Sequence, residues 1–322
     1  MAVYTEVDQA AADRFARGFG IGPVTACDAI LEGVENSNYR LTTETAPHIL
    51  TLFEKRVDPD DLPFFLGLLE HLAARGVPCP VPLKNSAGKA VARLAGRPAA
   101  LLSFLPGTAV TQPGPQHCAA VGTMLAVLHR EASDYPASRP NALSPSGWRT
   151  WLDRSNGAAD TLKPGLTAFM RAELETLTRL WPTDLPRGII HGDLFPDNVF
   201  FDEDRLSGVI DFYFAANDFL AFDLAVCINA WCFDDHDRLQ TDRSAALISG
   251  YSSVRQMEKD EVRALPLLCR GAAMRFFVTR VYDWSHTPPS AHVTPKDPME
   301  YYRKLLQHKA VEADMHTMDP YT

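Results

Sequence analysis

The sequence predicts an α+β chain in two lobes, a small sheet-rich one followed by a larger, mostly helical one. Three observations carry this. The chain has 322 residues, too many for one minimal core and suited to two. Apolar stretches of strand length crowd the first hundred residues around one main amphipathic helix. After Gly107 the apolar spacing becomes helical, broken by a single compact β insertion.

Taken in order, residues 8–18 read as a short helix ended by glycine. Residues 27–31, 37–43 and 48–53 read as three strands joined by short turns. Residues 62–75 form the amphipathic helix, closed by Gly76 and followed by Pro78 and Pro80. Two more strands, 90–94 and 99–104, flank a Gly96-Arg97-Pro98 turn. Leu105-Pro106-Gly107 is a natural linker, which sets the expected lobes at 1–105 and 106–322. Helices are expected at 115–129, 148–153, 166–181, 221–231, 244–251, 258–279 and 298–308. The stretch 135–146, rich in Pro, Ser and Asn, reads as loop, and 188–212 as the β insertion.

Composition narrows the function. With 46% hydrophobic and 22% charged residues the chain is an ordinary globular one. Its 31 basic and 40 acidic residues leave a net charge of −9, unsuited to general nucleic-acid binding. A local nucleotide site that brings its own cation is still compatible with that charge. The six cysteines form no C-x-x-C pair and read as reduced, mostly buried thiols of a cytoplasmic enzyme. The first ten residues carry Glu6 and Asp8 and lack the apolar core of a signal peptide. No apolar run approaches the ~20 residues that span a bilayer, so no membrane partner is expected.

The informative segment is Ile189-Ile190-His191-Gly192-Asp193-Leu194-Phe195-Pro196-Asp197-Asn198-Val199-Phe200-Phe201. An apolar strand feeds a polar turn and a second apolar strand leaves it. Val209-Ile210-Asp211-Phe212 follows, another strand ending in a carboxylate. Asp193, Asn198 and Asp211 are thereby presented near one another on a hairpin-like platform. Phosphoryl transfer asks for those groups: one carboxylate to orient a hydroxyl and accept its proton, an amide oxygen and a second carboxylate to hold Mg²⁺ against phosphate oxygens. Positioning and charge neutralisation do the rest.

This pattern resembles the aminoglycoside phosphotransferase and choline kinase group of protein-kinase-like enzymes. The resemblance implies ATP and Mg²⁺ as cofactors, Asp193 as catalytic base with His191 supporting its loop, and Asn198 and Asp211 as metal ligands. It further implies that Gly33-Val34-Glu35-Asn36-Ser37-Asn38-Tyr39 covers the phosphates, with Asn36, Ser37 and Asn38 offering polar groups and exposed amides. The stretch from Ala100 to Gly107 resembles the interlobe hinge, where backbone groups of Ser103 and Leu105 would meet adenine. Leu125-Ala126-Val127-Leu128-His129 resembles the helix facing the catalytic loop, with His129 as a buried structural residue. One departure stands out. The third-strand position that carries a phosphate-binding Lys or Arg in this group is Thr51 here. Lys55, on the same strand face but roughly 13 Å along, and Arg56 are the candidate replacements.

Longer runs resemble the kinase-fold homoserine kinases of bacteria: Glu32 to Tyr39, Ile49-Leu50-Thr51-Leu52-Phe53-Glu54, Phe212 to Asp218, and Asp223 to Phe233. That likeness makes the missing lysine a family trait. It implies transfer of the ATP γ-phosphoryl group to L-homoserine, giving O-phospho-L-homoserine on the way to threonine. Candidates for the substrate's charged ends are Tyr213, Asp218, Asp223, Trp231, Arg275 and Arg280, with Asn217 and Asn229 nearby. Arginines suit a bidentate carboxylate contact. Arginines can equally tie helices together, Trp231 can equally be core, and Asp223 can equally orient the catalytic loop. Other readings are a kinase for choline, methylthioribose or an aminoglycoside, or a non-catalytic nucleotide-binding regulator suggested by Thr51. There is no P-loop. Gly18-Phe19-Gly20-Ile21-Gly22-Pro23 fails the dinucleotide pattern at Pro23 and reads as a turn. Asp234-Asp235-His236-Asp237 reads as a solvated acidic loop rather than a metal site.

Overall fold

The computed structural model describes residues 4–31, 36–54, 57–287 and 295–317. Helix α1 (Gln9–Arg17) starts where the Asp8 carboxylate accepts the Ala11 N–H, and it ends at Gly18. Then come β1 (Val24–Ile30), β2 (Ser37–Thr43), β3 (His48–Leu52), α2 (Leu62–Ala74), β4 (Val91–Leu94) and β5 (Arg97–Ser103). The five strands make one antiparallel sheet in the order β1-β2-β3-β5-β4. Period-two alternation divides its faces. Leu101 packs with Ala12, Ala16 and Leu41 under α1, while Ala100 and Leu102 join Phe65 and Leu69 of α2 in the main core.

The larger lobe contains β6 (Thr108–Ala109), α3 (Pro115–Glu131), α4 (Pro145–Arg154), α5 (Ala159–Leu162) and α6 (Leu166–Leu180). It continues with β7 (Arg187–Ile190), β8 (Val199–Asp202), β9 (Arg205–Val209), β10 (Ala216–Phe219), α7 (Leu220–Trp231), α8 (Thr241–Ser252), α9 (Lys259–His286) and α10 (Pro298–Thr317). Helix α7 is apolar nearly all round and is its buried axis. Helices α3 and α8 cross at two glycines. A Cβ on Gly122 would lie 2.0 Å from the Leu247 carbonyl, and one on Gly250 2.1 Å from the Ala119 carbonyl.

Two expectations change. The 188–212 insertion is not one hairpin. β7 pairs with β10, and only β8 and β9 form a hairpin, which β6 extends just past the expected linker. Helix α9 also runs beyond 279 to His286 and carries Pro266 in its second turn. Among the described residues no helix is long and apolar enough to cross a membrane.

Candidate active site

The loop between β7 and β8 is held from below. Its turn needs Gly192, whose φ is +77° and whose Cβ position would lie 3.1 Å from the Phe214 carbonyl. The Asp223 carboxylate, at the start of α7, accepts the backbone N–H groups of His191 at 2.6 Å and Gly192 at 2.8 Å. Its third partner is His129 Nε2 at 3.1 Å. Burial acts to raise the Asp223 pKa, but His129, His191 and the Gly192 N–H together hold it below the ordinary carboxylate value. The chain of contacts continues outward. His129 Nδ1 meets the Tyr251 hydroxyl at 2.9 Å, Arg255 donates to that hydroxyl at 3.1 Å, and Glu261 holds Arg255 by two contacts of 3.0 Å. His129 is therefore the buried structural residue that its sequence context suggested.

The His191 ring braces the same loop. Its Nδ1 accepts the Asp193 N–H at 3.2 Å, so Nε2 donates to the Ile210 carbonyl at 3.0 Å, and the tautomer follows from these partners. Burial lowers its pKa and keeps the ring neutral. His191 is fully buried, so its place is structural rather than catalytic. Asn198 donates from Nδ2 to the Asp193 carbonyl at 2.8 Å, which turns its amide oxygen away from that carbonyl. The Ile210 N–H donates to the Asn198 carbonyl at 3.0 Å, bringing Asn198 beside Asp211. Asp211 itself has left-handed backbone, φ 63° and ψ 61°, a conformation rare outside glycine. Asn198 and Asp211 offer hard oxygen donors. Among the described residues no cluster of three or more His, Cys, Asp or Glu could hold a metal. Such a pair fits Mg²⁺ that takes its other ligands from phosphates and water.

Arg275 reaches this loop from α9. Its Nη1 donates to the Gly192 carbonyl, its Nη2 lies 3.6 Å from Asp193 Oδ1, and its guanidinium stacks 4.3 Å from the Phe276 ring centroid. It is thus the one expected substrate residue found beside Asp193.

Other expected contacts move elsewhere. Trp231 is fully buried and its indole N–H donates to the Leu194 carbonyl at 2.8 Å, so it supports the loop. Asp223 does the same from beneath. Asp218 pairs with Asn141 at 2.7 Å and lines a cleft of about 470 Å³ with Trp181 and Arg187. The β7–β10 register sets Asp218 opposite Gly188, three residues back from His191, or ~10 Å along a strand. Arg280 donates to Glu300 and to the Asp297 carbonyl, tying α9 to α10. Asn229 is likewise structural, with both its amide groups bonded inside the helical core. Tyr213 points to the small lobe, its ring packed edge-on against Phe53 and Phe65 at 5.3 and 5.8 Å.

The nucleotide side is also revised. Ser37 is fully buried, donates to Glu54 at 2.8 Å and accepts the Tyr4 and Thr5 N–H groups. Asn36 is buried and accepts the Glu54 N–H. These two tie β2 to the end of β3 rather than exposing amides to phosphate. Asn38 Oδ1 accepts the Thr51 hydroxyl at 2.8 Å, and Thr51 is only 2% exposed. Ser103 gives its N–H to the Val81 carbonyl at 2.9 Å, so only its carbonyl is a candidate for adenine. Leu105 packs over Gly208 of β9. Glu70 of α2 pairs with Lys84 at 2.8 Å. Lys55, Arg56 and the Gly33-Val34-Glu35 part of the expected phosphate loop lie outside the described residues.

A five-stranded lobe joined to a helical lobe, with a braced His-Gly-Asp loop and a following Asn and Asp, defines a protein-kinase-like phosphotransferase. Residues 27–257 match the model of the phosphotransferase enzyme family, APH. The chain is 55% identical to a homoserine kinase of Rhodospirillum rubrum over 97% of both chains. It is 52% identical to one of Rhizobium meliloti, over 97% of this chain and 95% of that one. The chain belongs to this family of bacterial homoserine kinases within the phosphotransferase enzymes. Solved structures share the fold at low identity. An amicoumacin kinase in complex with AMP-PNP and Ca²⁺ superposes with TM-score 0.72 at 15% identity, over 96% of this chain and 94% of that one. A spectinomycin phosphotransferase superposes with TM-score 0.67 at 14% identity, over 94% of each.

Proposed function

We propose that this chain is a homoserine kinase, transferring the γ-phosphoryl group of ATP to L-homoserine to give O-phospho-L-homoserine and ADP in threonine biosynthesis. The observation that carries the reading is the full-length likeness to homoserine kinases at 52–55% identity, joined to a catalytic loop whose Asp193 remains partly exposed at 21%. Residues 1–105 serve as the nucleotide lobe and 106–322 as the catalytic and substrate lobe. The Ser103 carbonyl and the Leu105 backbone meet adenine.

Asp193 accepts the substrate hydroxyl proton as that oxygen forms its bond to the γ-phosphorus and the bond to the ADP oxygen breaks. Asp223 and His191 fix the loop so that this carboxylate needs no reorganisation. Asn198 and Asp211 would hold Mg²⁺, which when bound would neutralise charge on the phosphate oxygens. The Arg275 guanidinium supports the reading, as a fixed cation beside Asp193 suits an anionic group of the substrate. The substrate is a small molecule and neither nucleic acid nor membrane is a partner. Six free cysteines and an ATP requirement suit the reducing cytoplasm.

A coupled ADP-release assay with L-homoserine, choline, methylthioribose and kanamycin tests the reading. Turnover selective for L-homoserine is expected. ATP binding without turnover of any alcohol would instead establish a non-catalytic nucleotide-binding protein.

A further inference from the structure

Two buried donors near the catalytic loop lack partners. Arg275 Nε and the Tyr301 hydroxyl are both inaccessible, and neither makes a hydrogen bond among the described residues. Arg275 is 3% exposed and Tyr301 fully buried. Buried donors are nearly always bonded, and each exception asks for an explanation. These two belong to one neighbourhood. The Tyr301 ring packs on Phe276 at 5.0 Å, Phe276 packs on Phe195 of the catalytic loop at 4.9 Å, and the Arg275 guanidinium stacks 4.3 Å from Phe276. The Tyr301 hydroxyl and Arg275 lie within each other's electrostatic reach, and both feel Asp193.

Their chemistry fits one ligand group. Both Nη atoms of Arg275 face the loop, at the Gly192 carbonyl and Asp193, and Nε is the one guanidinium nitrogen without a partner among the described residues. Burial keeps the Tyr301 phenol protonated, so it too is a donor. Two neutral-geometry donors, one of them on a cation, suit a carboxylate with its two oxygens. Arg280 at 4.4 Å and Lys304 at 4.8 Å from the Tyr301 ring share the Glu300 carboxylate, so the three groups together carry one positive charge beside the ring.

Resting on the homoserine reading, we propose that the Tyr301 hydroxyl and Arg275 Nε form the subsite for the substrate's α-carboxylate. The alkyl chain then leads the hydroxyl back toward Asp193. Both atoms are closed to water in this form, so substrate entry shifts their side chains. A carboxylate that arrives there satisfies donors that are otherwise left unmade, which makes the contact selective for amino acids over plain amino alcohols.

The test compares L-homoserine with 3-aminopropan-1-ol, the same molecule without its carboxylate, in the wild type and in Tyr301→Phe. The variant deletes one oxygen and keeps the ring. For L-homoserine, kcat/KM falls roughly ten- to hundredfold, the worth of one charge-assisted hydrogen bond. For the amino alcohol it changes by less than about twofold. Thermal stabilisation by L-homoserine falls in parallel, a readout that needs no turnover. Without ligand the variant melts no lower than the wild type, because no existing bond is lost. Equal losses on both substrates, no loss on L-homoserine, or a lower unliganded melting point each overturn the subsite alone. A wild-type enzyme that turns over other alcohols but ignores L-homoserine overturns the substrate reading and this proposal together.

Discussion

His129 on α3 and Asp223 on α7 meet at 3.1 Å, and neither side chain has any exposed surface. The same carboxylate carries the two backbone N–H groups that open the His-Gly-Asp turn. Its charge is therefore a structural part of the loop. Asp223→Asn keeps the size but cannot accept three hydrogen bonds in the same geometry. Unpairing a buried charged network costs about 3–5 kcal/mol. Urea unfolding of Asp223→Asn is expected to show a loss near the lower figure, with kcat falling as the loop loosens. A wild-type urea midpoint in this variant would show that the charge is dispensable.

The His129 network depends on how closely α3 and α8 approach. Gly250 leaves room for the Ala119 carbonyl, and Tyr251, its neighbour, supplies the hydroxyl that His129 uses. Gly250→Ala places a methyl 2.1 Å from backbone, which no side-chain rotation relieves. Overpacking of this kind costs typically about 1–3 kcal/mol. The expected outcome is a clearly lower thermal midpoint together with reduced kcat. An unchanged midpoint would mean that the helices separate freely.

Asp193 differs from its supports in that it is partly exposed, at 21%. Asp193→Asn is expected to lower kcat by about 10²–10⁴, the usual worth of a positioned general base. The thermal midpoint and ATP binding should stay near wild type. Near-wild-type kcat in this variant would remove Asp193 from the chemistry.

Much of the candidate site was legible because its residues are local. Asp193, Asn198 and Asp211 lie within one short stretch, where strand periodicity and turn residues are read directly. The supports are not local. The Asp223 contacts span 31 to 94 residues and the Arg275 contact spans 83, so no spacing rule links them. Trp231 and Asp218 read as substrate residues because they follow Asp211, the expected metal ligand, in sequence. The turn of α7 carries the first into the core, and the β7–β10 register sets the second opposite Gly188, in a cleft lined by Trp181 and Arg187. Tyr301 left no signal at all, since an aromatic on an amphipathic helix is ordinary core until its hydroxyl is found without a partner.

Thr51 tests how far the group's lysine can be replaced. It is 2% exposed, donates to Asn38 and meets the hydroxyl of Tyr213, whose ring packs on Phe53 and Phe65. Thr51→Val removes the hydrogen bond to Asn38 and the hydroxyl's contact with Tyr213, and should cost about 1–3 kcal/mol while kcat holds. Thr51→Lys buries an ammonium against aromatic rings and is expected to destabilise more than the valine does, without raising kcat. A gain in kcat from Thr51→Lys would show that a third-strand cation is still wanted.

His308 sets part of the acid sensitivity. Its ring is buried, donates from Nε2 to Asn229 Oδ1 at 3.1 Å and packs edge-on to Phe233 at 5.5 Å. Burial, then the charge of Lys304, lower its pKa to about 4. The unfolded chain takes up that proton near the ordinary value of about 6.5, while the folded chain resists it. The stability from the neutral ring is therefore full above about pH 7 and is lost as pH falls toward 4. Between pH 7 and pH 5 the loss is about 2 kcal/mol from this group alone. His191 and His48, also lowered by burial, act in the same direction. His308→Gln keeps an N–H donor for Asn229 and has no proton to gain. Its unfolding free energy, measured in urea at both pH values, should fall by about 2 kcal/mol less than that of the wild type over this interval. Equal pH dependence in the two proteins would mean that His308 protonates as readily folded as unfolded.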